Sequence, residues 1–92
     1  MLFMVIEHFR DRDAKAVYRR LRDAGRGTPQ GLRYVGSWIE PNFDRCFQVM
    51  ECDDVALLQE WVLFWGDLVT VEIVPVLPSA ETRALVERHL DP

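Results

Sequence analysis

Apolar and polar positions along the chain follow two periods, which together divide it into seven elements. Leu2 to Phe9 (LFMVIEHF) is rich in apolar and β-favouring residues and stops at the charged turn Arg10 to Asp13, so it reads as a first strand. Asp13 can N-cap the next segment, in which Ala14, Val17, Tyr18, Leu21 and Ala24 recur at helical spacing until Gly25 ends it. Gly25 to Gly31 (GRGTPQG) is a loop by composition, because its three Gly and one Pro do not hold a regular element.

Leu32 to Glu40 and Arg45 to Cys52 flank Pro41-Asn42-Phe43-Asp44, whose Pro and Asn suit a tight reversal, so the two segments read as a hairpin. Asp53-Asp54 offers N-cap chemistry for a second helix, Val55 to Trp65, closed by Gly66-Asp67. Leu68 to Val76 is β-branched and alternating, a fourth strand, and Pro78-Ser79 opens a short amphipathic helix running to about Leu90. The order β-α-β-β-α-β-α predicts one α+β domain over residues 1–92. It is a ferredoxin-like sheet of four antiparallel strands with both long helices on one face and an extra C-terminal helix. A doubly wound parallel fold would need a helix where only the four-residue link Pro41 to Asp44 stands.

Each strand carries one apolar and one mixed side. Leu2, Met4 and Ile6 oppose Phe3, Val5 and Glu7; Val35 and Ile39 oppose Tyr34 and Trp38; Phe47 and Val49 oppose Cys46, Gln48 and Met50; Val69, Val71 and Ile73 oppose Thr70, Glu72 and Val74. The mixed side is too apolar for open water and too polar for a plain core. If the purely apolar side meets the helices, the mixed side lines a barrel made from two facing sheets, and the chain is a homodimer. The second helix agrees, since Leu58, Trp61, Val62 and Trp65 form one stripe and Leu57, Leu63 and Phe64 another, where a surface helix needs one.

Composition strengthens the dimer and narrows the partners. Hydrophobic residues make up 49% of the chain, with three Trp, which is rich for a lone domain of 92 residues. Fifteen Asp and Glu exceed eleven Arg and Lys, ten of the latter being Arg, so no concentrated basic patch argues for nucleic acid. The densest basic stretch, Arg19, Arg20, Arg22 and Arg26, alternates with Asp23 and apolar positions and reads as a solvated helix face. No apolar run approaches the roughly 20 residues that cross a bilayer, and Leu2 to Ile6 lacks a basic leader, so a cytoplasmic protein without membrane partners is expected. Cys46 and Cys52 lie about 20 Å apart along one strand, too far to bridge. His8 and His89 give no metal-ligand spacing, and no cofactor is expected.

At this point the chain resembles a known family. The segments MLFMVIEHF, GLRYVGSWIEPNFDRCFQVMEC and LVTVEIVPVLPSAE look like short bacterial proteins grouped as domain of unknown function 3303, within the dimeric α+β barrels that include antibiotic-biosynthesis monooxygenases. The resemblance implies fold and dimer, and by analogy a metal-independent monooxygenase or isomerase. Haem-degrading members of that superfamily use an Asn at the end of strand one, a barrel Trp and a helix His. This chain offers Glu7 for the Asn, and Trp61 and Trp65 but no His on its second helix, so haem degradation is not implied.

Candidate chemistry rests on the mixed face. Glu7 and Glu72, on neighbouring strands, are the candidate catalytic pair, since burial beside apolar side chains would raise a carboxyl pKa into the range of a general base. Gln48, mid-strand, needs a partner or a ligand for its amide. Tyr34 and Trp38 suit a flat apolar or aromatic ligand, and Phe3, Val5 and Met50 complete the predicted pocket. Each also has a plainer reading: carboxylates at strand ends in water, an amide bonded within the protein, aromatics that only pack. Two classes stay open, a small enzyme acting on an apolar or aromatic metabolite, and a non-catalytic ligand-binding or assembly module.

Overall fold

In a computed structural model, which describes residues 1–91, the strands are β1 (Leu2–Phe9), β2 (Arg33–Ile39), β3 (Arg45–Glu51) and β4 (Val69–Val76). The helices are α1 (Ala14–Ala24), α2 (Ala56–Trp65) and α3 (Ser79–Glu87). The local chemistry acts where the sequence puts it. Asp13 Oδ1 accepts the Ala16 amide at 3.1 Å and Asp54 Oδ1 accepts the Ala56 amide at 2.9 Å, each satisfying a donor left over at a helix start. Gly25, at φ +73°, closes α1 with its amide on the Leu21 carbonyl.

The sheet is antiparallel in the order β2-β3-β1-β4, which with the element sequence is the ferredoxin-like α+β arrangement. Register fixes which side chains share a face, because directly paired residues point the same way. Phe3, Val5, Glu7 and Phe9 point to the helices together with Met50, Gln48 and Cys46 of β3 and with Ile73, Val71 and Val69 of β4. Leu58, Trp61 and Trp65 of α2 and Val17 of α1 close the core above them. Val5, Met50 and Leu58 are fully buried, and burial of each contributes about 1.5–3 kcal/mol.

The loop between α1 and β2 is bound to α2 by its backbone. Trp61 Nε1 and Trp65 Nε1 both donate to the Arg26 carbonyl, at 3.0 and 2.8 Å. Gly27 follows at φ +69°, and a Cβ there would come within 2.3 Å of the Phe64 ring, so only glycine lets the loop lie this close. Phe64 and Leu57, two of the three residues in the second stripe of α2, are thereby covered within the chain, while Leu63 stays 84% exposed.

The facing inferred from alternation is corrected. Phe3, Val5, Glu7, Gln48 and Met50 lie against the helices, and the apolar set Leu2, Met4, Ile6, Phe47 and Val49 forms the open face of the sheet. The reason is that the helix layer does not need an all-apolar floor: it encloses a cavity, and the polar side chains of β1 and β3 line it. A bulge between Tyr34 and Gly36 further divides β2, leaving Tyr34 beside Met50 on the helix side and Trp38 beside Phe47 on the open side.

α3 buries none of its residues, and the radius of gyration is 15.7 Å, against about 12 Å for a compact chain of this length. No helix among the described residues is long and apolar enough to cross a membrane.

Candidate functional site

Three neighbouring rows across the sheet build the floor of the site. Ile39, Cys46, Glu7 and Val71 form one, Ser37, Gln48, Val5 and Ile73 the next, and Tyr34, Met50 and Phe3 the third. Over the first two rows lies a half-enclosed cavity of about 110 Å³, roofed by Val17, Tyr18 and Leu21 of α1, Arg26 of the loop and the two indoles of α2. At about 10–15 Å³ for one water, it has room for a molecule of roughly eight to ten non-hydrogen atoms, far short of a haem.

Glu7 is the chemical centre. It is 7% exposed, and its carboxyl forms no hydrogen bond or ion pair among the described residues but opens into the cavity. Burial pushes its pKa from an ordinary 4.5 up to about 7, partly offset by the nearby Arg26 charge. A carboxyl held there takes or gives a proton at neutral pH with little penalty.

Its surroundings divide into inert and available groups. The Cys46 thiol is pushed up to about 12 by burial and then by the Glu7 charge, so it remains protonated and is no nucleophile. Cys52 is also buried, and neither cysteine is bridged. Gln48, 4% exposed, donates its amide to Met50 Sδ at 2.9 Å, a weak acceptor, and its oxygen has no protein donor among the described residues. Tyr34 and Ser37 share a hydrogen bond of 2.7 Å between their hydroxyls, which puts Tyr34 behind Ser37 at the cavity wall. Burial raises the pKa of the Tyr18 hydroxyl, with Cys46 and Glu7 adding to it, so this phenol stays a hydrogen-bond donor at neutral pH.

The structure therefore brings together Glu7, Gln48 and, through Ser37, Tyr34, while Phe3, Val5 and Met50 form the apolar floor beside them. It separates Glu72 and Trp38 from that group. Glu72 pairs with Ile6 and Trp38 with Phe47, so both lie on the open face, where Trp38 is 62% exposed. Glu7 and Glu72 cannot act as a pair, because their one-residue offset in register points them through opposite sides of the sheet.

Arg26, Tyr18, Ser37, Trp61 and Trp65 complete the site. Arg26 lies past the end of α1, between two glycines at positive φ, and its guanidinium carbon stacks 3.5 Å from the centre of the Tyr34 ring. The one sequence signal for it was its place inside GRGTPQG, where backbone freedom lets a charged side chain turn inward. Of the other arginines of the basic stretch, Arg20 and Arg22 are occupied. Arg20 makes a bidentate pair with Asp67 at 2.6 Å and also donates to the Phe64 carbonyl, and Arg22 pairs with Asp23. Among the described residues no three His, Cys, Asp or Glu side chains converge as metal ligands would.

No curated protein and no protein of solved structure matches the chain. A family model described as Domain of unknown function (DUF3303) matches residues 1–90, nearly the whole sequence. An α+β sheet with a polar cavity under its helices is thus the architecture of a chain that belongs to the DUF3303 family.

Proposed function

We propose that this chain is a homodimeric α+β barrel protein of the cytoplasm that binds a small, partly apolar or aromatic metabolite beneath its helices and moves a proton on it through Glu7. The observation that carries this reading is one carboxyl, buried, without a protein partner, and poised near neutrality at the wall of a cavity of ligand size. An isomerisation fits best. Glu7 takes a proton from one carbon of a carbonyl compound, the electron pair moves into the conjugated system, and Glu7-H returns the proton to another carbon, so atoms and charge balance without a second substrate. Tyr18 and Ser37 supply donors for the oxygen on which negative charge develops. A metal-independent oxygenation would begin with the same proton removal.

The dimer reading rests on the open face of the sheet, where Leu2, Met4, Ile6, Phe47, Val49 and Trp38 form one contiguous apolar set with no helix over it. A helix none of whose residues is buried supports it as well, since nine residues are too few for an isolated helix. Two buried, unbridged thiols support a reducing compartment.

The alternative is a non-catalytic ligand-binding or assembly module, favoured by the raised pKa values of Cys46 and Tyr18, which leave Glu7 without a second base among the described cavity residues. Deuterium uptake separates the two. Incubated in D2O with ketones and unsaturated carbonyl compounds of up to about ten non-hydrogen atoms, the protein should exchange a carbon-bound proton of at least one of them, as read by proton NMR. Glu7→Gln should lower that rate at least 100-fold while leaving binding intact. Binding without exchange supports the non-catalytic ligand-binding module instead, and neither binding nor exchange leaves only the assembly module.

A further inference from the structure

Arg26 stands out among the cavity groups because its charge acts on Glu7 without a direct contact. Its guanidinium forms no ion pair and donates no hydrogen bond among the described residues, and its one protein contact of note is the face of Tyr34. Arg26 is half-buried, and a ring face replaces only part of the hydration its guanidinium gives up. It also leaves the N–H edges of the guanidinium free, and those edges match a planar carboxylate in a two-point contact. The carboxyl nearest in the cavity, Glu7, does not fill the role, since the two form no ion pair. The backbone of Arg26 is meanwhile fixed by two indole donors, so the side chain projects from an anchored point. Trp61, Trp65, Val17 and Leu21 supply apolar lining to the same cavity.

We propose that the ligand of this cavity is a small monocarboxylate, its carboxylate taken up by Arg26 and its apolar remainder lying along the indoles of Trp61 and Trp65. This rests on the reading of the cavity as a ligand site and adds to it the charge of the ligand. With the carboxylate on Arg26, the rest of a molecule this size reaches toward Glu7, so the acid group orients the reacting carbon.

The probes are benzoate against benzamide and crotonate against crotonamide, pairs that match in shape and differ in charge. At pH 6, where Glu7 is largely protonated, each acid should bind at least tenfold more tightly than its amide. In nitrogen-correlated NMR spectra the Trp61 and Trp65 indole signals should shift and that of Trp38 should not. Arg26→Met should abolish the preference, and Arg26→Lys, which keeps the charge and loses the two-point fork, should retain only part of it, which separates lost charge from a disturbed loop. Equal binding of acid and amide, or a preference that survives Arg26→Met, overturns the carboxylate assignment and leaves the cavity reading in place; binding of neither pair overturns the assignment too. Acid preference with no proton exchange on any substrate upholds Arg26 as the anion site and counts against proton transfer alone.

Discussion

Replacing Glu7 with glutamine should make the protein more stable above pH 7 and leave its stability nearly unchanged near pH 4. In the unfolded chain this carboxyl titrates near its ordinary 4.5, whereas in the folded one burial holds it at about 7. Between those values the native state binds the proton that the unfolded state has released, so unfolding becomes easier as pH rises through that window. Above about 7 the full penalty applies. A separation of roughly two and a half units corresponds to about 3 kcal/mol, an order-of-magnitude figure. Glutamine matches the protonated acid in shape and carries no charge, so it escapes the penalty. Thermal melts at pH 8 should place Glu7→Gln on the order of 10 °C or more above the parent, and the two curves should converge by pH 4. Parallel melts at every pH would mean that the carboxyl is solvated, and a less stable variant at pH 8 would mean that its charge has a partner.

Met4→Asp should split the dimer without unfolding the protomer. Met4 lies at the centre of the open face, directly beside Val49 on one side and Val74 on the other. A carboxylate on a sheet face in water costs little. The same group trapped between two facing sheets, once in each copy, has no counter-charge and costs more than about 3 kcal/mol, over a hundredfold in dissociation constant. Light scattering at micromolar concentration should give about twice the 10.8 kDa chain mass for the parent and the single mass for the variant. A monomeric parent, or a variant that remains dimeric, would show that the open face is not the contact surface.

The elements themselves were legible from the chain because local chemistry decides them. LFMVIEHF ends at a charged turn, Asp13 caps α1 and Gly25 closes it, and the structure has β1 at Leu2–Phe9 and α1 at Ala14–Ala24. Facing was not legible for the same strand, since Leu2-Met4-Ile6 and Phe3-Val5-Phe9 are both apolar and alternation alone cannot say which meets the helices. Assigning the purer set to the helix side reversed β1 and β3. In β2 the bulge after Tyr34 breaks the period of two that would have kept Tyr34 and Trp38 on one face, and no Gly or Pro signal in Tyr34-Val35-Gly36 separates a bulge from a regular strand containing glycine. Of the site, Glu7 and Gln48 were recognisable as polar groups inside apolar strands. Arg26 was not, because its role depends on a loop folding back onto α2 through Trp61 and Trp65, 35 and 39 residues away.

The ionisation of Glu7 decides whether this cavity can move a proton at neutral pH. Carbon-detected NMR of the parent protein, labelled at glutamate side-chain carboxyls and assigned by comparison with Glu7→Gln, follows that one group through a pH titration. A midpoint near 7, well above those of the other glutamates, is the result expected for a carboxyl buried at the wall of a half-enclosed cavity beneath the helices. A midpoint near 4.5 would place Glu7 in contact with bulk water and contradict both its role in proton transfer and the cavity built around it.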